Sequence, residues 1–563
     1  MKRHMREDYL VEGEGLLSFD EQRQPTAKRP STTAELRKFR FSRLGPQGEQ
    51  PPEELRAALA RAMVAGVSAD SADPAVPAGY TYLGQFVDHD LTMDATAAAL
   101  GSDVSVDDLL QGRSPALDLD SLYGRGPTDQ HDRIFYADDG VHLLVGRTAA
   151  VSGPPPVDPA ANQDLDGFDL PRSGLGSTKR ERRAALIPDA RNDENLAVAQ
   201  THLAFIRFHN RVVDQLATGG LAGPALFRTA RSVVVKHYQW MLRTDFLPRI
   251  VSPEVVEDVF TNGRRFFEVS AGYDSRYRGR WVQPGDRPTM PIEFSVAAYR
   301  LGHSMVREVY DWNRIFRTGT TTGLPPGTLE LLFQFSGTSG NLSPDGSLDD
   351  PESGSFERLP TNWIADFRRL YDFAEAGRDD LVVDPEREGP GLNLTRRIDS
   401  RLVDPLRNLP LGSFGGRGTA PADIERNLAF RNLTRAVMVR LASGQQMAEF
   451  LDLVPLKPDE ILHGLDGAVL DELTDPQREA LTTNTPLWFY VLREAEFNGG
   501  RLDGVGARIV AEVFHRAMEG SRSSILRDPT WRPTLGPDPD TFRMVDLLLF
   551  AFEGRAELLN PLG

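Results

Sequence analysis

The 563-residue sequence predicts a mainly α-helical fold. Three observations carry that reading. Apolar residues recur at helical spacing in several separate stretches, period-two alternation is scarce, and the intervening segments are long, polar and rich in Gly and Pro. With 40% hydrophobic and 26% charged residues, the chain can bury a sizeable core and is not disordered as a whole.

Residues 1–50 are polar, charged and broken by Pro and Gly, so they are expected to form an extended arm ahead of one domain over 51–563. EELRAALARAMVAG predicts a first helix ending at Gly66, followed by a small-residue loop around Ser68–Pro77. YTYLGQFVDHDLTMD is short and dense in ionisable groups, and residues 101–190 are irregular, a length uncommon without a function. From Asn192 the texture changes. Leu196, Leu203, Ile206 and Val213 lie on one helical face that stops at Gly219–Gly220. Further helices are expected over Pro224–Arg243, Pro291–Trp312, Ala422–Leu441 and Val505–Glu519, with a loop over 316–360.

Composition excludes several classes. The 64 basic and 81 acidic residues give −17, a poor match to nucleic acid or to an anionic membrane. Cysteine is absent, so no disulfide, zinc–thiolate site, iron–sulfur cluster or cysteine nucleophile is available. No apolar run is long enough for a transmembrane helix. The N-terminus lacks the apolar core of a Sec signal peptide, so the expected location is the cytoplasm, or outside by another route.

Three segments set His or Arg among carboxylates. Gln85, Asp88 and His89 fall at i, i+3 and i+4, one face of a helix. Arg191 and Glu194 are i, i+3 near the start of the long helix, and His303 sits in AAYRLGHSM with Arg300. Singly, each has an ordinary explanation: a satisfied histidine, a helix-start charge pair, a core histidine.

Together they are more specific. GQFVDHDL (84–91), ARNDENLAVAQTHLAFIRFHNR (190–211), AAYRLGHSM (297–305), RNLTRAVMVRLASGQQMA (431–448) and RLDGVGARIVAEVF (501–514) resemble the animal-type haem peroxidases, in that order. These belong to the peroxidase–cyclooxygenase superfamily. The absence of Cys and of a Sec signal suggests a bacterial member. The resemblance implies a fold with haem between a distal and a proximal helix, few short strands and long loops. It implies His303 as the iron ligand, Asn432 as acceptor for that imidazole's other nitrogen, and Arg300 and Arg435 near the propionates. On the distal side it implies His89 as acid–base residue, Arg191 as stabiliser of developing negative charge, and Gln85 as the glutamine touching bound halide. Asp88 and Glu194 match the two carboxylates that form haem esters. Asn195 stands where myeloperoxidase has the Met of its third link, so that link is not expected.

The resemblance also implies calcium, held by Asp90, Ser114, Ala116 through its carbonyl, Asp118 and Asp120. Calcium favours such mixed oxygen donors. The implied activity is peroxidase chemistry: hydrogen peroxide oxidises iodide, thiocyanate, bromide or phenolic donors through a ferryl intermediate. The alternatives are a fatty-acid dioxygenase of the same superfamily and a catalytically quiet haem-binding protein. The dioxygenases need a Tyr three residues before the proximal His, where this chain has Arg300; Tyr299 is one residue off. A quiet scaffold has no need of His89, Arg191, His303 and Asn432 together.

Overall fold

The Leu196–Thr218 helix begins where Asn195 caps it, the side-chain oxygen accepting Val198 N at 2.9 Å. It ends at Gly219, as the sequence predicts. Its apolar stripe is buried against three helices, Gly79–Leu91, Gly223–Met241 and Met544–Ala551. A second group packs beside this one. Gly504–Gly520 lies on Pro253–Asn262 and Leu487–Phe497, and Leu428–Met438 lies on Glu53–Met63. The site forms where the two groups meet.

The computed structural model describes residues 39–65, 75–96, 98–151, 159–269, 288–320, 323–337, 357–409 and 422–563, with three short strands between residues 10 and 28. Those strands form one antiparallel sheet. The Gly66 stop, most of the 68–77 loop, much of the 316–360 loop and most of the expected N-terminal arm lie outside the described residues. Among the described residues no strand exceeds five residues, and no helix is long and apolar enough to cross a membrane. The described residues of 101–190 hold only short turns, two-to-five-residue pieces of helix or strand and loops, in line with their composition.

The Gly79–Leu91 helix is fixed by its apolar side. Phe86 stacks on Phe205 with centroids 4.5 Å apart and is fully buried, as are Leu83 and Val87. Each such side chain contributes roughly 1.5–3 kcal/mol. Its start needs glycine, because a Cβ on Gly79 would lie 2.3 Å from Tyr371 Cζ. With the apolar stripe committed, Gln85, Asp88 and His89 share the opposite side.

Three helix expectations need correction. Pro291–Trp312 is not one helix. Glu293–Ala297 is a π-helical turn, Ala298–Leu301 is 3-10, and only Gly302–Met305 is α-helical. The break falls at Ala297 (φ −130°, ψ −76°), and Arg300 Nε donates to Ser295 O at 2.9 Å, a carbonyl that a regular helix would use. After Val306 the chain is extended, and Val309–Tyr310 pairs with Gly327–Thr328. The proximal helix is therefore a short irregular turn. Ala422–Leu441 breaks at Asn427, whose side chain caps a separate Leu428–Met438 helix. Conversely, the helix expected to stop at Arg243 continues through a π turn to Ile250.

The end of the arm is tied down near this turn. Phe41–Ser42 pairs in parallel with Met290–Pro291, and Glu293 accepts Leu44 N at 2.8 Å and Gly45 N at 3.0 Å.

Candidate active site

His89 lies in the last turn of its helix and is 4% exposed. Its Nδ1 is 2.8 Å from Asn192 Oδ1. Asn192 Nδ2 is in turn 2.9 Å from Nδ1 of His202 on the long helix. The other ring nitrogen of His89 faces Glu194, with Nε2 3.6 Å from Oε1. Burial and the Arg191 cation lower the His89 pKa, partly opposed by Glu194. The imidazole is thus held neutral, the form in which it can take a proton.

Arg191 is aimed by Asp189. Its Nε and Nη2 donate to the two carboxylate oxygens at 3.0 and 2.7 Å, and its backbone N donates to the same group at 3.1 Å. Nη2 also donates to His89 O at 3.1 Å and Thr92 O at 2.6 Å. Asp189 binds Arg113 Nε as well, at 2.7 Å. These cations outweigh burial and hold the Asp189 carboxyl far below the usual range.

Glu194 and Gln85 meet beside them. Gln85 Nε2 donates to Glu194 Oε1 at 2.5 Å, and its Oε1 accepts Asn195 Nδ2 at 2.9 Å. Asp88 accepts the Thr92 hydroxyl at 3.0 Å, and its other oxygen is 3.9 Å from Arg300 Nη1. That last pair links the distal helix to the proximal turn.

On the proximal turn His303 is half-buried, and burial with Arg300 and Arg435 pushes its pKa down to about 3. The neutral imidazole is the metal-binding form. Asn432 is its neighbour as expected, but with the opposite polarity: Nδ2 lies 2.9 Å from His303 Nδ1, so the amide donates. An imidazole that bound a metal through Nε2 would carry its hydrogen on Nδ1, and the Asn432 amide would then have to be turned half a revolution to present oxygen. The two ends are interchangeable by that rotation.

Arg435 is exposed, yet closely enough enclosed that burial, with Arg300 and Arg431, pushes its pKa down to about 10. No ion pair with it is found among the described residues. A cation so placed calls for an anion. A haem offers two propionate carboxylates and an iron that takes a neutral imidazole. The donor set of His303, Arg300 and Arg435 fits that group.

Behind His89, the carboxylates of Asp90, Asp118 and Asp120 converge, with one oxygen of each within 4.8 Å of the others. Ser114 Oγ donates to Asp118 at 3.1 Å and Ser114 N to Asp120 at 3.0 Å. Ala116 O accepts Asp118 N at 2.9 Å within the same turn. Burial and the neighbouring acids raise the Asp90 pKa, and burial raises that of Asp120 to about 7. Asp120 Oδ1 is buried with no hydrogen-bond partner. Mutually repelling, buried carboxylates of this kind are what a hard cation relieves.

Gln85, His89, Arg191 and Glu194, singled out by the sequence, lie together in the structure, and most of the residues that orient them carry no clear sequence signal. Asp189, Asn192, His202, Arg113 and Asn195 received no role. The Asp of PDARND, two residues before Arg191, was a readable cap signal; His202, fully buried on an apolar helix, gave none.

The fold is similar to that of a dioxygenase, and one stretch of the chain is similar to haem peroxidases. Over 92% of its length the chain superposes on the structure of fatty acid alpha-dioxygenase from Arabidopsis thaliana, covering 76% of that chain, with a TM-score of 0.51 at 13% identity. That likeness concerns the fold alone. More particularly, residues 101–336 match the animal haem peroxidase family. The match includes Arg191, Glu194, His303 and the Ser114–Asp120 loop; His89 and Asn432 lie outside it. The chain is 31% identical over 125 residues to a peroxidase-like protein of Margaritifera margaritifera, 22% of this chain and 14% of that protein. It is 26% identical over 205 residues to human thyroid peroxidase, 35% of this chain and 19% of that protein. The matched stretches thus cover less than a fifth of either relative.

Proposed function

We propose that the chain is a haem peroxidase that uses hydrogen peroxide to oxidise small anions such as iodide, thiocyanate or bromide, or phenolic donors. The observation that carries this reading is His89. It is a buried neutral imidazole whose Nδ1 is engaged by Asn192 and whose Nε2 faces the same side as Glu194. Bound haem would supply the two-electron reduction of peroxide and the oxidising power passed to the donor.

In this reading His303 holds the iron, with Asn432 behind it. Arg300 and Arg435 hold the propionates, and Asp88 and Glu194 are positioned for ester links. His89 Nε2 takes a proton from hydrogen peroxide and returns it to the departing oxygen. Arg191, braced by Asp189, faces the developing negative charge. Gln85, fixed between Glu194 and Asn195, lines the anion's approach. Calcium at Asp90, Ser114, Ala116, Asp118 and Asp120 braces the residue next to His89. The dioxygenase reading is disfavoured because the position three before His303 is Arg300, committed to Ser295 O and facing Asp88.

The test is titration with hemin followed by peroxide-dependent oxidation of a phenolic dye. The wild-type chain is expected to bind one equivalent and turn over, and His303→Ala to lose the Soret band. Unchanged binding in that variant, or a fully loaded wild-type chain inert to peroxide, overturns the reading.

A further inference from the structure

We infer that Asn192 and His202 are positioning residues that lock the distal imidazole into the Nδ1–H tautomer, leaving Nε2 bare as the base. The inference rests on the peroxidase reading for the role of His89 and adds two residues to it.

A neutral imidazole has one donor and one acceptor nitrogen, and only the tautomer with bare Nε2 can remove a proton on the Glu194 side. An asparagine amide is also two-ended. With Oδ1 2.8 Å from His89 Nδ1, that nitrogen must carry the hydrogen. With Nδ2 2.9 Å from His202 Nδ1, that nitrogen must accept. The three side chains therefore form a polar chain with one direction, His89 Nδ1–H to Asn192 Oδ1 and Asn192 Nδ2–H to His202 Nδ1. Reversing it requires turning the amide and moving a proton on both rings.

The chain is well protected from competing partners. Asn192 and His202 are both fully buried, so water does not offer the amide an alternative. His202 is kept neutral, burial pushing its pKa to about 3, and its ring packs edgewise on Phe86 at 5.7 Å. Phe86 belongs to the same helix as His89, so His202 keeps its distance from the distal base through packing as well. His202 Nε2 has no hydrogen-bond partner. A buried ring with one nitrogen unused is a costly choice for packing alone, where Leu or Phe would serve. It is retained for its bonded nitrogen, Nδ1, which fixes the amide.

The first test reads the tautomers directly. In protein loaded with diamagnetic zinc protoporphyrin, 1H–15N correlation of the histidine rings is expected to show His89 as Nδ1–H and His202 as Nε2–H. The opposite pair of tautomers overturns the inference. The second test uses the ferric haem-loaded protein and the association rate of hydrogen cyanide, which must also lose a proton to bind. Asn192→Ala and His202→Leu are expected to slow association roughly 10–100-fold while leaving the Soret band in place, a part of the 10²–10⁴-fold typical of general acid–base help. His89→Ala serves as the reference. If His89→Ala is slow and the other two associate at the wild-type rate, the positioning role is wrong and the peroxidase reading stands. If His89→Ala itself is unchanged, the role of His89 fails and both readings fall.

Discussion

Asp189→Asn tests how the distal arginine is aimed. The wild-type carboxylate accepts Arg191 through Nε and Nη2 at 3.0 and 2.7 Å, Arg113 Nε at 2.7 Å and one backbone N–H at 3.1 Å. Asparagine keeps one acceptor oxygen and turns an NH2 toward an arginine N–H. Its side chain is 1% exposed, against 10% for Arg113 and 29% for Arg191. Breaking a buried pair costs about 3–5 kcal/mol; because Arg191 reaches solvent, the lower end applies, about 3 kcal/mol. A misdirected Arg191 should also slow the reaction with peroxide by about 10²–10³, the usual loss when one preorganised donor is removed. The pH dependence has a definite sign. The folded Asp189 carboxyl lies far below its ordinary value, so its stabilising contribution is complete above about pH 4 and is lost only as pH falls toward the folded pKa. Urea unfolding should therefore show a gap between wild type and variant that is constant from pH 5 to 8. A variant within about 0.5 kcal/mol of wild type, reacting with peroxide at the wild-type rate, would mean that Asp189 does not brace the site.

Three further outcomes follow from the geometry. Calcium should raise the melting temperature, a strong chelator should lower it, and Asp118→Ala should abolish both responses; melting indifferent to calcium in the wild-type chain removes the metal site. Peroxide treatment of the haem-loaded protein should leave haem attached after acid extraction, and Asp88→Val with Glu194→Gln should release it fully; complete release from wild type rules out the esters. Glu494 on the Leu487–Phe497 helix, which accepts Val505 N and Gly506 N at the start of the Gly504–Gly520 helix, has its pKa raised to about 8, mainly by burial. The folded form then binds a proton that the unfolded form has lost, so stability falls as pH rises from about 4.5 to 8. Relative to wild type, Glu494→Gln should gain up to about 1.4 kcal/mol per pH unit across that window, and a difference flat with pH contradicts this.

Local spacing made half of the site readable. Gln85, Asp88 and His89 at i, i+3 and i+4 required only that Phe86, Leu83 and Val87 be the buried side, and the structure agrees. The Gly219 stop and the helical period before it were equally local. The break at Ala297 was not, because it depends on Arg300 capturing Ser295 O and facing Asp88 on another helix. A largely apolar run with no Pro or Gly from 292 to 301 looks like an unbroken helix. The Asp189 clamp on Arg113 and the His89–Asn192–His202 chain join residues brought together only by the fold. No period announces such pairs, and they decide which way His89 and Arg191 face.

His89 is proposed as the base that activates hydrogen peroxide. Stopped-flow mixing of the haem-loaded protein with peroxide, comparing wild type with His89→Ala at equal haem content, tests it most directly. The second-order rate constant should fall by about 10²–10⁴, the usual contribution of a positioned acid–base group, while the Soret band before mixing stays unchanged. Equal rate constants in the two proteins would contradict it.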